Sequence, residues 1–224
     1  MFDLILARGT VIDGTGRDGF RADVGIRGEQ IAAIGDLSGA TAERVIDAAG
    51  LTVSPGFIDT HTHAEGALLV DPQHANGLRQ GITTVFLGID GMSYAPLSRE
   101  NYLLYRHWLS GLLGDPPEEL DMHSVEAFRS HYHRKVAVNT AYLVPHATVR
   151  LEVLGFRDLP LVGEPLARAK RLVREGLEQG AVGFTTGSKY YPGPWADTQE
   201  LIELCKVVRE EGKVYMSEPR LTER

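Results

Sequence analysis

The spacing of hydrophobic positions changes near residue 55. Before it, short apolar stretches alternate with polar residues and are separated by glycine-containing turns, which is the pattern of β-hairpins. Strands are predicted at residues 2–7, 11–13, 22–26, 31–34, 45–47 and 51–53, with a turn at 8–10. Because no helical period occurs in this segment, residues 1–54 are predicted to form a small sheet.

After residue 55, apolar stretches alternate with stretches of helical period. Strands are predicted at 56–59, 82–87, 136–143, 181–186 and 213–217, and helices at 72–80, 97–113, 124–133, 164–179 and 198–211. The first strand is expected to be buried. Apolar strands that alternate with helices form parallel βα units, so an α/β fold is predicted. A closed barrel needs about eight strands and about 250 residues, and residues 55–224 are therefore predicted to form an incomplete (β/α)8 TIM-like barrel.

The clearest chemical motif ends the first barrel strand, in Pro55-Gly56-Phe57-Ile58-Asp59-Thr60-His61-Thr62-His63. Alternate residues of a strand point to the same face, so His61 and His63 are able to aim two imidazole rings at one metal ion. Asp59 has the same parity and is a further candidate for that face. The alternative is that the histidines are ordinary polar residues that end a strand. The glycine, apolar pair and aspartate before them favour the metal site.

Further candidate residues follow the later strands, where the active sites of βα barrels lie. Asp90, after the second strand, is either a carboxylate metal ligand or part of an Asp-Gly turn. His146, after the third strand, either binds metal, contacts an anionic group of a substrate, or is a hydrogen-bonded loop histidine.

The residues after the fourth and fifth strands also leave alternatives open. Near two metal ions, the Lys189 amine is able to react with carbon dioxide and form a bridging carbamate, but a solvated or substrate-binding lysine is favoured. Tyr190, Tyr191 and Trp195 either line a pocket or pack within an irregular loop. Glu218 is a candidate metal ligand, although its position favours an exposed terminal residue.

Composition excludes several classes of protein. The 224 residues are 43% hydrophobic and 24% charged, which is typical of a folded chain. The formal net charge of −7 without a basic stripe argues against a nucleic-acid partner, and no apolar run is long enough to span a membrane. The single cysteine, Cys205, excludes an internal disulfide, and with no secretory signal at the start it predicts a cytoplasmic protein. The oligomeric state stays open.

Five motifs together resemble the D-aminoacylase (N-acyl-D-amino-acid deacylase) family of the metal-dependent amidohydrolase superfamily. They are residues 55–63, 81–85, 88–96, 139–150 and 183–193, and the resemblance covers nearly all residues up to Tyr215. The first two motifs occur across the superfamily, and the other three are more specific to this branch. The resemblance implies a small β-sandwich packed on a (β/α)8 barrel, with residues 1–54 as the N-terminal part of the sandwich.

The resemblance also implies an activity. Such enzymes hydrolyse the amide C–N bond of an N-acyl-D-amino acid or a similar small amide, with one or two divalent zinc ions. It implies that His61 and His63 bind one zinc, that a metal-bound water attacks the carbonyl, and that an aspartate is the general base. His146 and Tyr190 are the candidate substrate contacts.

The chain departs from the family pattern at three places. Asp90 stands where many members have a zinc-binding cysteine, so Asp90 or a carbamate of Lys189 is expected to complete the metal site. Glu218 stands where members have a metal-binding histidine. The family's sixth-strand histidine and late catalytic aspartate fall beyond Arg224, so we expect a truncated chain with weak or no activity. The alternative is a non-catalytic remnant, or a subunit that another chain completes.

Overall fold

A computed structural model describes residues 1–219. The chain divides into two compact units, Met1–Gly56 and Phe57–Arg224. No helix within the described range is long and apolar enough to cross a membrane.

The first unit is a five-stranded sheet with the order β3-β2-β1-β4, in which β5 also pairs with β1. The strands are β1 Phe2–Val11, β2 Phe20–Arg27, β3 Gln30–Gly35, β4 Ala42–Asp47 and β5 Thr52–Val53. Strand β1 is antiparallel to β2 and parallel to β4 and β5.

The predicted turn at residues 8–10 is wrong, because β1 continues through it. Arg8 has a left-handed backbone with φ of 65°, and the register with β2 shifts between Leu6 and Gly9. The backbone N–H of Arg8 donates to Oδ1 of Asp23 at 2.6 Å. A bulge of this kind takes residues out of the ladder without ending the strand, and in sequence it looks like a turn.

The second unit contains a parallel sheet whose strand order, β10-β9-β8-β7-β6, follows the chain. The strands are β6 Phe57–Asp59, β7 Ile82–Leu87, β8 Asn139–Pro145, β9 Gly183–Thr186 and β10 Val214–Ser217. The helices are α1 Glu65–Val70, α2 Ala75–Leu78, α3 Arg99–Leu113, α4 Val125–Tyr132, α5 His146–Leu154, α6 Gly163–Glu178 and α7 Thr198–Glu210. Parallel strands that pair in chain order, with helices between them, form part of a (β/α)8 barrel. The predicted fold class is confirmed.

The core of this unit lies between the sheet and its helices. Strand residues such as Val85, Leu87 and Phe184 are fully buried there, together with helical residues such as Phe128 and Val173. The prediction that the first barrel strand is buried is wrong, since Phe57 and Ile58 are 59% and 60% exposed. Among the described strands, β6 pairs only with β7, so it forms an edge of the sheet.

Two helices were not predicted, α1 and α5. The burial of α5 explains why, because seven of its nine residues are buried and no polar face marks a helical period. It follows directly on β8, which begins and ends later than predicted. The predicted cap of α4 is confirmed, since Oγ of Ser124 accepts a hydrogen bond from the Ala127 N–H at 3.1 Å.

Candidate metal centre

Three side chains bring metal-binding atoms together at the carboxyl ends of β6 and β7. Oδ2 of Asp90 lies 3.2 Å from Nε2 of His61 and 3.4 Å from Nε2 of His63. One ligand atom from each residue lies within 4.8 Å of the others. Two ligands bonded to zinc at about 2.05 Å in a tetrahedron are about 3.3 Å apart, whereas a charge-assisted hydrogen bond is about 2.8 Å long. The spacing therefore fits a shared metal ion better than direct ion pairs.

The histidines reach this point from a turn and not from the strand itself. Strand β6 ends at Asp59, so His61 and His63 lie beyond the region where alternate residues share a face. The Asp59 carboxylate accepts a hydrogen bond from the His61 N–H at 3.0 Å. The expectation that Asp59 shares the metal-binding face is therefore wrong, and its side chain shapes the turn instead. The two imidazole rings stand edge to face, with centroids 5.7 Å apart.

Asp90 is presented by a 3-10 turn, Ile89–Gly91, directly after β7. Its φ of 58° lies in the left-handed region, which costs a non-glycine residue about 1 kcal/mol. The loop after β9 packs tightly against this turn, because a Cβ atom at Gly187 would collide with the Asp90 carbonyl oxygen. Asp90 is therefore part of an Asp-Gly turn, and that turn carries its carboxylate to the two histidines, so the metal-ligand alternative stays open.

A buried carboxyl group accepts a hydrogen bond from the residue that precedes the Asp90 turn. Glu65, in the first turn of α1, is fully buried, and its Oε1 accepts a hydrogen bond from the Gly88 N–H at 2.8 Å. Its Oε2 has no hydrogen-bond partner within residues 1–219. Burial raises the pKa of Glu65 to about 7. The sequence analysis missed this residue; its only signal was an acidic residue at the start of a short apolar stretch.

Burial also lowers the pKa of the less exposed of the two histidines. Loss of solvation lowers the pKa of His63, and the neighbouring Asp90 carboxylate opposes this effect without reversing it. A neutral imidazole has a lone pair free to bind a metal at neutral pH. Within the described residues, Nδ1 of His63 is buried without a hydrogen-bond partner. No second side chain of this region therefore fixes the tautomer of the ring.

The two other predicted ligands, Lys189 and Glu218, contact each other. Nζ of Lys189 lies 3.0 Å from Oε1 of Glu218. The preference for an exposed Glu218 is wrong, because its side chain is only 17% exposed and its Oε2 is buried without a partner among residues 1–219. The hydrogen bond to Glu218 raises the pKa of Lys189. Because only the neutral amine reacts with carbon dioxide, this pairing disfavours a carbamate.

His146 is buried and lies at the start of α5, not in a loop. Its Nε2 lies 2.6 Å from Oε1 of Glu200, whose other oxygen pairs with Arg150. Burial raises the pKa of Glu200, but the hydrogen bond with His146 and the charge of Arg150 outweigh it and lower the pKa. The His146 ring also lines a cavity of about 70 Å³, together with Ser188 and Glu218. His146 therefore lines a small cavity and lies outside the group of three converging side chains.

The aromatic residues after β9 divide between the site and the loop. Tyr190 is partly buried, and burial together with the charges of Asp90 and Glu218 raises its pKa. Tyr191 packs edge to face against Trp195, with ring centroids 5.0 Å apart. Tyr190 therefore lies within range of the carboxylates of the site, while Tyr191 and Trp195 pack within their own loop.

A parallel βα sheet with two histidines and an aspartate at its carboxyl edge defines a class of metal-dependent barrel proteins. The chain belongs to the amidohydrolase family, whose sequence profile matches residues 44–156. It is 38% identical to the D-aminoacylase of Alcaligenes xylosoxydans xylosoxydans, over 98% of this chain and 44% of that protein.

Two solved structures are similar over almost the whole chain. An N-acyl-D-glutamate deacylase from Bordetella bronchiseptica, complexed with zinc and a phosphonate inhibitor, has a TM-score of 0.87 and 34% identity, over 98% of this chain and 45% of that one. A D-aminoacylase structure, described with a binuclear metal centre, has a TM-score of 0.88 and 38% identity, over 99% of this chain and 46% of that one. The chain thus spans less than half the length of the relatives that it matches.

Proposed function

We propose that this chain carries the zinc site of a hydrolase that cleaves the amide C–N bond of an N-acyl-D-amino acid or a similar small amide. The observation that carries the proposal is the convergence of His61, His63 and Asp90, whose ligand atoms all lie within 4.8 Å of one another. The choice of zinc is supported by the zinc-bound deacylase relative, and the substrate class by the names of the relatives. The first unit is proposed to be part of a small β-sandwich domain.

The chemistry of the three ligands suits zinc. Two imidazoles and one carboxylate supply nitrogen and oxygen donors, and three protein ligands leave a fourth position for a reactant. When bound, zinc supplies a Lewis acid that polarises the amide carbonyl and lowers the pKa of a water molecule. The lowered pKa of His63 keeps its imidazole neutral, and the Asp90 turn holds the carboxylate toward both histidines.

Two further residues are proposed to contact the substrate. The raised pKa of Tyr190 keeps its phenol protonated at neutral pH, so its O–H is able to donate a hydrogen bond to a carbonyl or carboxylate oxygen. His146 is held in orientation by Glu200 and lines the small cavity beside Glu218. The size of this cavity, about 70 Å³, suits a small polar group of a substrate and not an extended chain.

Metal analysis of the full chain tests the zinc site directly. After dialysis against metal-free buffer containing one added equivalent of zinc, elemental analysis should find about one zinc per chain. His61→Ala and Asp90→Asn should lose this zinc, while His107→Ala, at an exposed position on α3, should keep it. Absence of zinc from the unaltered chain, or equal zinc in all four proteins, would refute the site.

Activity assays test the substrate class separately. Release of free amine from N-acetyl-D-methionine and N-acetyl-D-glutamate, above the His61→Ala background and above the L-enantiomers, supports the proposed reaction. Bound zinc without any deacylation instead supports the alternative of a non-catalytic chain. We further propose a cytoplasmic location, which the single cysteine, Cys205, supports.

A further inference from the structure

We propose that the ammonium group of Lys189 takes the place of a second metal ion, so that this site binds one zinc and not two. The inference rests on the proposed function, because it assumes zinc at the cluster of His61, His63 and Asp90. Its starting observation is that Lys189 and Glu218, the other two candidate ligands, contact each other at 3.0 Å. Among residues 1–219, only one group of three or more metal-binding side chains converges.

The backbone of Glu218 lies next to the loop that packs on the Asp90 turn: its N–H donates to the Thr186 carbonyl at 2.9 Å, and the glycine after Thr186 lies against the Asp90 carbonyl. The Glu218 carboxylate opposes the lowering of the His63 pKa, and the Asp90 carboxylate adds to the raising of the Lys189 pKa. Lys189 therefore compensates the charge of Glu218 directly and that of Asp90 only at longer range. In a binuclear centre, such as that of the D-aminoacylase relative, a second divalent cation would supply this compensation.

The free oxygen of Glu218 shows that this compensation is incomplete. Its Oε1 is paired with Lys189, but its Oε2 is buried and has no hydrogen-bond partner within the described part of the chain. The carboxylate lines the cavity that also contains His146 and Ser188. A buried carboxylate oxygen without a partner is unfavourable. The free oxygen of Glu218 is therefore available to a cation, while its other oxygen is already paired with the Lys189 ammonium group.

Repulsion accounts for the exclusion of a second zinc. A zinc ion bound to Glu218 would lie a few ångströms from the Lys189 nitrogen. At that distance, even with the screening of water, a unit charge weakens binding of a divalent ion by about tenfold or more. Removing this charge while keeping a side chain of similar length should therefore open a second cation site at Glu218.

Zinc titration of the metal-free full chain, followed by competition with a coloured chelator, tests the inference. The unaltered chain and Lys189→Arg, which keeps the positive charge, should each take up one equivalent. Lys189→Met should take up a second equivalent, with an affinity at least tenfold higher than any second binding to the unaltered chain. The double variant Lys189→Met with Glu218→Gln should return to one equivalent, because the released carboxylate is gone.

The outcomes separate this inference from the proposed function. Two equivalents in the unaltered chain, or a single equivalent in Lys189→Met, would overturn the role of Lys189 while leaving the first zinc site intact. A failure of every protein to bind zinc would instead overturn the proposed function itself. Circular dichroism of each variant, matched to the unaltered chain, ensures that a missing equivalent reports the site and not unfolding.

Discussion

The buried carboxyl group of Glu65 should make the metal-free protein less stable as the pH rises from about 4.5 to 7. Its pKa is raised from the ordinary value of 4.5 to about 7. In this pH range the folded chain keeps the proton that the unfolded chain has lost. The contribution of Glu65 to the free energy of unfolding is therefore highest below pH 4.5 and falls until the folded group also ionises. A shift from 4.5 to about 7 corresponds to about 3 kcal/mol.

Two variants isolate this effect. Glu65→Gln keeps an oxygen that accepts the Gly88 N–H but does not titrate, so it should match the unaltered chain at pH 4.5 and exceed its stability by about 3 kcal/mol at pH 7.5. Glu65→Leu also does not titrate, but it leaves the Gly88 N–H without its acceptor. It should therefore be less stable than Glu65→Gln by about 1–3 kcal/mol at every pH.

Urea unfolding followed by circular dichroism at pH 4.5, 5.5, 6.5 and 7.5, with a chelator present, measures these differences. Other carboxyl groups titrate over the same range, so the relevant quantity is the difference in unfolding free energy between Glu65→Gln and the unaltered chain. That difference should grow with pH and level off above about 7. A difference that stays constant from pH 4.5 to 7.5 would refute the reasoning.

Three further predictions concern the surroundings of the cluster. Gly187→Ala should destabilise the protein by about 1–3 kcal/mol and weaken zinc binding, because its Cβ would collide with the Asp90 turn. Gly111→Ala, in open space on α3, should not destabilise the protein. Urea unfolding and zinc titration of both variants measure these effects. Glu200→Leu should lower the free energy of unfolding by about 3–5 kcal/mol, because it leaves the buried Arg150 guanidinium without its carboxylate. Arg171→Ala, which removes an exposed ion pair, should lower it by less than about 1 kcal/mol. Zinc should raise the thermal midpoint of the unaltered chain in calorimetry but not that of Asp90→Asn.

The alternation of apolar positions was sufficient to predict most of the barrel elements. Strand β7 lies at the predicted residues, and α3, α6 and α7 lie within one or two residues of theirs, because each has one buried and one exposed face. The predictions failed where buried and exposed positions do not alternate in this way. Helix α5 is buried almost all round, and the bulge at Arg8 places a turn-like residue inside a continuous strand.

The candidate site likewise contains some residues whose positions could be predicted from the sequence and others whose partners could not. The positions of His61, His63 and Asp90 can be predicted from the neighbouring sequence. Each follows the end of a strand, and parallel strands bring their carboxyl ends to one edge of the sheet. Their convergence could therefore be predicted even though the histidines lie in a turn. The partners of the other charged residues depend on tertiary contacts. The hydrogen bond from Gly88 to Glu65 joins residues 23 positions apart, and nothing in either segment indicates the other.

The pairing of Lys189 with Glu218 shows why residue type alone does not define a metal ligand. Both residues follow strand ends and both have suitable chemistry, yet they form an ion pair with each other. A carboxylate next to an ammonium group is a poorer cation ligand than one next to neutral imidazoles, because the positive charge is already supplied. His61 and His63 carry no such charge in their neutral form, so Asp90 remains available to a metal ion. The electrostatic partner of each carboxylate therefore distinguishes the proposed ligand, Asp90, from its neighbour, Glu218.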